Sequence, residues 1–218
     1  MQYNGRMDKQ SALRVLAAEM EQDGALPLAS QANFVFGEGN PDCAVLFIGE
    51  APGYNEDVER RPFVGRAGQL LRRMIRDIGW REEDVYITNI VKRRPPENRD
   101  PLPAEIAAYE PYLTRQIGII APKAVATLGR FSMSYFLPLA KISRDHGKVF
   151  RTDGRILVPL YHPAAALRAP DVLTAFEADF RKLPEILAGG GTADVEFPAS
   201  RPEANPPAKP PVRQTKLF

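Results

Sequence analysis

A short apolar run that ends in a carboxylate constrains this chain more than any other feature. The run covers residues 44–49, and the segment Glu50-Ala51-Pro52-Gly53 follows it directly. Its short length, with turn-forming residues on both sides, predicts a buried strand. Glu50 then lies at the carboxyl end of a core strand, which is where open α/β sheets bind ligands. A carboxylate in that position is either a working group or a costly buried charge.

Strand and helix patterns alternate along most of the chain. Predicted strands cover residues 44–49, 85–91, 123–128 and 155–160, and predicted helices cover residues 9–22, 67–78, 130–136 and 171–187, with a further helix beginning near Pro103. This alternation predicts an α/β fold in which helices cover both faces of a central, mostly parallel four-stranded sheet. The expected architecture is a three-layer α/β/α sandwich.

Composition limits the class of protein. The chain has 218 residues, a net charge of +2 and one cysteine, Cys43. A single cysteine excludes an internal disulfide and an all-cysteine metal or iron–sulfur site within one chain. The sequence contains no apolar run as long as a membrane-spanning helix and no secretory signal. The expectation is therefore a cytoplasmic protein without membrane contact.

A change in composition after residue 187 divides the chain into three parts. Residues 1–187 form the predicted folded domain. Residues 188–213 are rich in glycine and proline and hold few apolar residues, so we expect a disordered linker. Residues 214–218 end the chain with two large apolar side chains, which is typical of a docking peptide.

Four chemically distinctive side chains lie at predicted strand ends or in the loops beside them. They are the carboxylate of Glu50, the ring of Phe63, the amide of Asn89 and the imidazole of His162. Taken singly, each has an ordinary interpretation: a helix cap, a core aromatic, a turn residue and a loop histidine. Each nevertheless lies near a connection where an α/β sheet would bind a ligand.

Several sequence blocks occur in series around these four residues. They are FGEGN at residues 36–40, GEAPG at 49–53, PFVGRAG at 62–68, TNIVK at 88–92, RPPENR at 94–99 and HPAA at 162–165. In this order, over roughly residues 20–187, they resemble the family 4 uracil-DNA glycosylases. Several blocks in series are far more specific than one motif.

The resemblance implies a fold like that of the uracil-DNA glycosylases and a reaction that starts base excision repair. The enzyme would hydrolyse the bond between deoxyribose and a uracil flipped out of DNA. Glu50 would position or deprotonate the attacking water, and His162 would donate to uracil O2 and stabilise the leaving anion. The proposed site holds no lysine nucleophile, so a monofunctional enzyme that leaves an abasic site is expected. Two alternatives stay open: a non-catalytic module that binds uracil or damaged DNA, and a glycosylase for another deaminated base such as hypoxanthine.

The resemblance also assigns residues that bind the base and the DNA. Phe63 would stack on uracil, and backbone N–H groups near Gly49 and Ala51 would add contacts to the base. Asn89 would hydrogen-bond the uracil edge, provided that its neighbours fix the amide orientation. The candidate DNA-binding residues are Lys92, Arg94, Asn98, Arg99, Pro163, Ala164 and Arg168. The basic run at residues 92–94 also has an ordinary interpretation as a solvated surface.

Family 4 enzymes usually carry an iron–sulfur cluster held by four cysteines, and this chain departs from that pattern. The corresponding positions fall on Asp23, Leu26, Arg93 and Tyr109. We therefore expect no cluster and no other metal or cofactor. We expect Asp23 and Arg93 to pair electrostatically, and Leu26 and Tyr109 to fill the vacated volume.

The terminal peptide resembles the sliding-clamp-binding motif of bacterial replication and repair proteins. Gln214, Leu217 and Phe218 occupy the fixed positions of that motif. The partners implied are uracil-containing DNA and a bacterial sliding clamp, and the protein itself is expected to be a monomer. The alternative is a tail that only keeps the domain in solution.

Overall fold

The computed structural model describes residues 8–152 and 154–189 and a two-residue strand at residues 195–196. The strands are β1 Glu38–Gly39, β2 Val45–Gly49, β3 Tyr86–Asn89, β4 Ala124–Leu128, β5 Phe150–Thr152, β6 Arg155–Leu160 and β7 Val195–Glu196. The helices are α1 Lys9–Gln22, α2 Tyr54–Glu59, α3 Arg66–Asp77, α4 Pro103–Ile120, α5 Arg130–Phe136, α6 Ile142–Asp145, α7 Pro163–Ala166, α8 Pro170–Arg181 and α9 Leu183–Leu187. Within these ranges, no helix is long and apolar enough to cross a membrane.

The strands form one sheet in the order β1-β3-β2-β4-β6-β5-β7. The central strands β3, β2, β4 and β6 are parallel to one another, as the sequence predicts. Strands β1 and β5 are antiparallel to their neighbours at the two sides of this central set, and β7 pairs with β5. The described sheet therefore has seven strands, whereas the sequence predicts four. The three additional strands are only two or three residues long, which is too short to give a recognisable sequence pattern.

The sheet lies between two helical layers, which confirms the three-layer sandwich. Strand β2 shows the reason most simply: Phe47 packs into the cluster that contains α3 and α8, whereas Leu46 and Ile48 pack into the cluster that contains α4 and α5. Successive side chains of a strand point to opposite faces, so an apolar strand can serve two layers at once. The predicted apolar face of α3 is also confirmed, since Leu71 and Met74 are buried against the sheet.

The order of the central strands creates a place for a ligand. The chain runs from β2 to β3 on one side, then crosses back so that β4 pairs with the other side of β2. The strand order reverses between β2 and β4, and a crevice opens outside the carboxyl ends of the strands at such a point. Glu50 follows β2, Asn89 ends β3, and His162 lies just beyond β6.

The predicted tail lies almost entirely outside the described residues. This applies to the linker at residues 188–213, apart from residues 188–189 and 195–196, and to the whole of the peptide at residues 214–218. The proposed docking residues Gln214, Leu217 and Phe218 are therefore known from their sequence only.

Candidate active site

A cavity of about 620 Å³ opens at the carboxyl ends of the central strands. Glu50, Phe63, Asn89 and His162 all line it, so the structure brings together the four side chains that the sequence singles out. Backbone pairing continues beyond β3 and fixes the main chain at Glu50, because the Val91 N–H donates to the Glu50 carbonyl oxygen over 3.0 Å. The site thus has a carboxylate, an aromatic ring, an amide and an imidazole around one space.

Glu50 is a carboxyl group with an altered acidity. Its pKa is raised to about 7, first by burial and then by the negative charge of Asp100, while the positive charge of Arg130 opposes both effects. No hydrogen bond to the Glu50 carboxyl group is formed by the described residues. A carboxyl group with a pKa near neutrality can exchange a proton with water at physiological pH, which suits a general base.

His162 is a neutral imidazole with a defined donor. Its Nδ1 accepts a hydrogen bond of 3.1 Å from the Ala164 N–H, which assigns the proton of the neutral ring to Nε2. Its pKa is lowered to about 4, first by burial and then by the positive charge of the Arg168 guanidinium, while the Glu56 carboxylate acts in the opposite direction. His162 therefore presents an N–H donor rather than a positive charge at neutral pH.

Asn89 and Phe63 meet over the small residue Gly49. A Cβ on Gly49 would lie 2.3 Å from Asn89 Oδ1 and 2.5 Å from Phe63 Cζ, so only glycine allows the two side chains to approach. Asn89 is 2% exposed, and its Oδ1 has no hydrogen-bond partner within the described part of the chain. A buried acceptor without a partner is costly, which indicates that a ligand donor completes it.

Phe63 is held in a strained backbone conformation by its surroundings. Its φ of +53° lies in the left-handed region, which is unfavourable for an aromatic residue. Arg72 donates to the Phe63 carbonyl oxygen over 2.9 Å and to the Pro62 carbonyl oxygen over 3.0 Å. A Cβ on Gly68 would lie 2.0 Å from the Phe63 carbonyl carbon, so glycine is required there as well. Strain held in this way is typical of functional sites.

The other predicted site residues fall into two groups. Those that line the cavity are Ala51, Asn98, Arg99, Ala164 and Arg168. Arg99 also forms a bidentate ion pair with Glu105, with bonds of 2.8 and 2.7 Å. Outside the lining, Gly49 lies behind Asn89 and Phe63, Arg94 donates to Asn98 Oδ1 over 2.6 Å, and Pro163 is buried as the first residue of α7.

The position of Lys92 differs from the expectation that this residue contacts DNA. Its side chain is 0% exposed, so it cannot reach a DNA phosphate from this position. Its Nζ donates to Gln116 Oε1 over 2.6 Å, Thr88 Oγ1 over 2.6 Å and the Asn89 carbonyl oxygen over 2.7 Å. Desolvation lowers the pKa of this lysine well below its usual value. The predicted phosphate contact is wrong, and Lys92 instead ties the end of β3 to α4.

Sequence reasoning missed several residues around the cavity. Asp100, Arg130 and Tyr161 line it, and Asp100 and Arg130 form an ion pair at its edge. Glu56 lines it too, and Arg72 supports Phe63 from behind. A signal existed for Glu56, because a glutamate three residues after Gly53 matches the pattern of a helix N-terminal capping box. No comparable local signal marks Arg72, whose partners are distant in sequence.

Comparison with known proteins decides the family. The pattern of the Uracil DNA glycosylase superfamily matches residues 36–187. The chain belongs to this superfamily. A type-4 uracil-DNA glycosylase of Saccharolobus solfataricus is 51% identical to this superfamily member over 166 residues, covering 72% of this chain and 77% of the relative. Similar proteins with the same name occur in Archaeoglobus fulgidus, 43% identical over 72% of this chain and 83% of the relative, and in Thermotoga maritima, 41% identical over 73% and 85%.

The iron–sulfur positions of this glycosylase superfamily member do not fit a cluster. Leu26 and Tyr109 are 5% and 0% exposed and pack in one apolar cluster with α1. The Tyr109 hydroxyl donates to the Pro27 carbonyl oxygen over 2.8 Å. None of the residues at the four positions has a thiol, so they cannot supply the cysteine ligands of a cluster.

The expected ion pair between Asp23 and Arg93 is not formed. Of the ion pairs within 4.0 Å in the described ranges, none joins these two residues. Asp23 instead accepts from the Tyr112 hydroxyl over 2.6 Å, and the Arg93 guanidinium lies 5.2 Å from the centre of the Phe34 ring. Arg93 is only 4% exposed, and a cation over an aromatic face is one way to accommodate such burial. The described residues also contain no group of three or more His, Cys, Asp or Glu placed to hold a metal ion.

Proposed function

We propose that this protein is a monofunctional uracil-DNA glycosylase that hydrolyses the N-glycosidic bond of a deoxyuridine flipped out of DNA. The observation that carries the proposal is the unpartnered, buried Asn89 Oδ1 in a cavity that also presents Phe63 and the Nε2–H of His162. The relatives named type-4 uracil-DNA glycosylase support the same reaction.

Base recognition follows from hydrogen-bond complementarity. Asn89 Oδ1 accepts from uracil N3–H, and its amide NH₂ donates to uracil O4. Cytosine offers an acceptor at N3 and a donor at its exocyclic amine. With the Asn89 amide fixed, Oδ1 then faces an acceptor and the NH₂ group faces a donor, so neither group is paired. Phe63 stacks on the face of the flipped base, and its ring can lie close to Asn89 because Gly49 has no side chain.

Bond cleavage leaves negative charge on uracil, and His162 stabilises it. The Nε2–H donates to O2 as charge develops there, and the neutral imidazole can do so without first gaining a proton because its proton is already on Nε2. One such preorganised donor typically contributes about 3 kcal/mol to lowering the barrier. The low pKa of His162 keeps this donor in place across the physiological pH range.

Glu50 acts on the other side of the glycosidic bond. Its carboxylate orients or deprotonates the attacking water and stabilises the positive charge that develops on the sugar. A pKa of about 7 makes the ionised form available at neutral pH. Because no lysine lines the described cavity, water is the nucleophile, and the product is an abasic site with an intact strand.

The proposal also covers the residues that contact DNA and the role of the C-terminal tail. Arg94 and Arg168 contact phosphates, Asn98 and Arg99 lie at the edge of the cavity, and the turn at residues 162–165 enters the DNA beside the flipped nucleotide. Residues 1–187 form the catalytic domain, a cytoplasmic monomer that acts without an iron–sulfur cluster. Residues 214–218 bind a bacterial sliding clamp through a linker at 188–213. The sequence of the terminal peptide supports this last step.

The decisive experiment is release of uracil from an oligonucleotide that contains a single uracil. Metal-free wild type is compared with Glu50→Ala and His162→Ala, with Glu59→Ala as the control for Glu50→Ala because Glu59 is exposed on α2. Alkali-labile abasic sites with wild type and Glu59→Ala, and strong impairment of the other two variants, are expected. Uracil-selective binding without release would instead identify a non-catalytic module. Release of hypoxanthine from a matched oligonucleotide that contains a single hypoxanthine, without release of uracil, would identify another glycosylase.

Clamp binding needs a separate measurement. The full chain should bind an immobilised bacterial sliding clamp, and a chain shortened to residue 213 should not, while both release uracil at the same rate from free oligonucleotides. Equal binding by the two chains would rule out the terminal peptide as the docking element.

A further inference from the structure

A single carboxylate joins the two loops that carry the chemistry and the stacking ring. Glu56 Oε2 accepts from the Gly53 N–H over 3.2 Å, at the end of the loop that begins with Glu50. Glu56 Oε1 accepts from the Val64 N–H over 2.8 Å and from the Gly65 N–H over 2.7 Å, directly after Phe63. The three bonds divide between the two oxygens so that each oxygen serves one loop.

A helix cap accounts for only part of this arrangement. Glu56 is in the first turn of α2, and a glutamate there commonly accepts from the N–H that precedes the helix. The bond to Gly53 is of this kind. The bonds to Val64 and Gly65 are not, since these residues lie eight and nine positions further along the chain, beyond the end of α2.

The loop that contains Phe63, Val64 and Gly65 is the strained one of the two loops that Glu56 binds. The φ of +53° at Phe63 is unfavourable, so the loop needs fixed partners on both sides of that residue. Arg72 holds the carbonyl groups of Pro62 and Phe63, and Glu56 holds the N–H groups that follow. Hydrogen bonds from N–H groups to a carboxylate are about twice as strong as neutral ones, which makes Glu56 an effective anchor.

We propose that Glu56 is a positioning residue that fixes the stacking ring of Phe63 relative to the carboxylate of Glu50. Its contribution to the reaction is geometric. Because one side chain is hydrogen-bonded to both loops, the base on Phe63 and the water at Glu50 keep a fixed relative position. The inference rests on the proposed glycosylase function for its kinetic consequence, whereas the link between the loops is a property of the free protein.

Glu56→Gln is the most informative substitution, because it preserves size and removes only one of the two acceptor oxygens. The amide oxygen can serve Gly53 or the pair Val64 and Gly65, and the NH₂ group then opposes the N–H donors of the other loop. Glu56→Ala removes both acceptors. Glu59→Gln, on the same helix and exposed, is the control for loss of charge.

Single-turnover excision from a uracil oligonucleotide, well below the thermal midpoint of every variant, gives the kinetic test. We expect Glu56→Gln to lose about 10- to 100-fold in rate, the effect of a displacement near 1 Å. Glu56→Ala should lose at least as much, and Glu59→Gln should match wild type. In the background of Phe63→Ala, the loss caused by Glu56→Gln should shrink, because the ring that Glu56 positions is already gone. A wild-type rate for Glu56→Gln, or a loss that adds fully to that of Phe63→Ala, would overturn the proposal.

Amide hydrogen exchange in the DNA-free protein tests the link without any use of activity. The Val64 and Gly65 amides should lose protection in Glu56→Gln or Glu56→Ala and keep it in Glu59→Gln. Unchanged protection in both Glu56 variants would refute the link. If wild type released no uracil, the proposed function would fail, while the exchange data would still decide whether Glu56 joins the loops.

Discussion

The ring of Phe63 lies 6.0 Å from the imidazole of His162, centroid to centroid, with the two planes inclined by 36°. Phe63 comes from the loop before α3, and His162 follows β6 at the far side of the central strands. We therefore expect a flat base that stacks on Phe63 to present its edge to the imidazole N–H. The sheet makes this relationship possible because both connections emerge at the carboxyl ends of parallel strands.

The altered pKa of Glu50 predicts a pH profile. Burial favours the protonated acid, so the ionised form that assists water predominates only above a pH of about 7. His162 stays neutral throughout this range, because its pKa is about 4. The single-turnover rate should rise with pH, with a midpoint near 7 and a plateau above 8, in rapid-quench measurements between pH 5.5 and 9.

Asp100→Asn provides the check on this assignment. The charge of Asp100 raises the pKa of Glu50, so its removal should move the midpoint to lower pH without abolishing the plateau. A rate that does not vary between pH 5.5 and 9 in wild type would show that ionisation of Glu50 does not limit the reaction.

The tautomer of His162 gives a prediction that requires no substrate. The hydrogen bond from the Ala164 N–H to Nδ1 places the proton on Nε2. Nitrogen-15 chemical shifts of the ring should show a neutral Nε2–H imidazole from pH 6 to 8. Arg168→Gln should raise the pKa of His162, since the guanidinium lowers it in wild type. A protonated ring at pH 6.5 in wild type would contradict the assignment.

The buried Lys92 predicts a loss of stability without a loss of electrostatic DNA binding. Lys92→Met leaves the Gln116 oxygen and the Asn89 carbonyl group without their donor, and each buried unpaired acceptor costs about 1–3 kcal/mol. Relief of the desolvated ammonium offsets part of this cost, so we expect a net loss of about 2 kcal/mol in urea unfolding.

Salt dependence separates Lys92 from a residue that contacts phosphate. The slope of log affinity against log salt should be unchanged in Lys92→Met and smaller by about one in Arg168→Gln, because one phosphate contact contributes about one unit. Arg168 is exposed at the cavity edge, which makes it the appropriate comparison. An equal change of slope in both variants would restore Lys92 as a phosphate contact.

The sequence predicts the four parallel strands because each is a short segment rich in apolar and β-branched residues, which is typical of a strand buried on both faces. It could not reveal that Lys92 lies inside, since a run of three basic residues is the same in sequence whether its first member is solvated or buried. Pro111 lies within the continuous α4, although a proline in a helix interior generally favours a kink or a break. The role of Glu56 depends on two loops that meet only in the folded chain, and its spacing from Gly53 matches only the pattern of a helix cap.

Tyr109 predicts how this chain is stabilised at a position that the family resemblance assigns to a cysteine ligand. Its ring is fully buried beside Leu26, and its hydroxyl bonds the Pro27 carbonyl group. Tyr109→Ala should cost about 3–5 kcal/mol in unfolding free energy, because it opens a large cavity. Tyr109→Phe should cost only about 1 kcal/mol, the value of one hydrogen bond. Both variants should release uracil at the wild-type rate when assayed below their thermal midpoints, since Tyr109 does not line the catalytic cavity.

Stoichiometric iron in the purified protein, or an unfolding midpoint that falls after treatment with a chelator, would show instead that a metal stabilises this region. A chelator-resistant midpoint with the predicted order of the two variants would show that an aromatic side chain and its hydrogen bond do so.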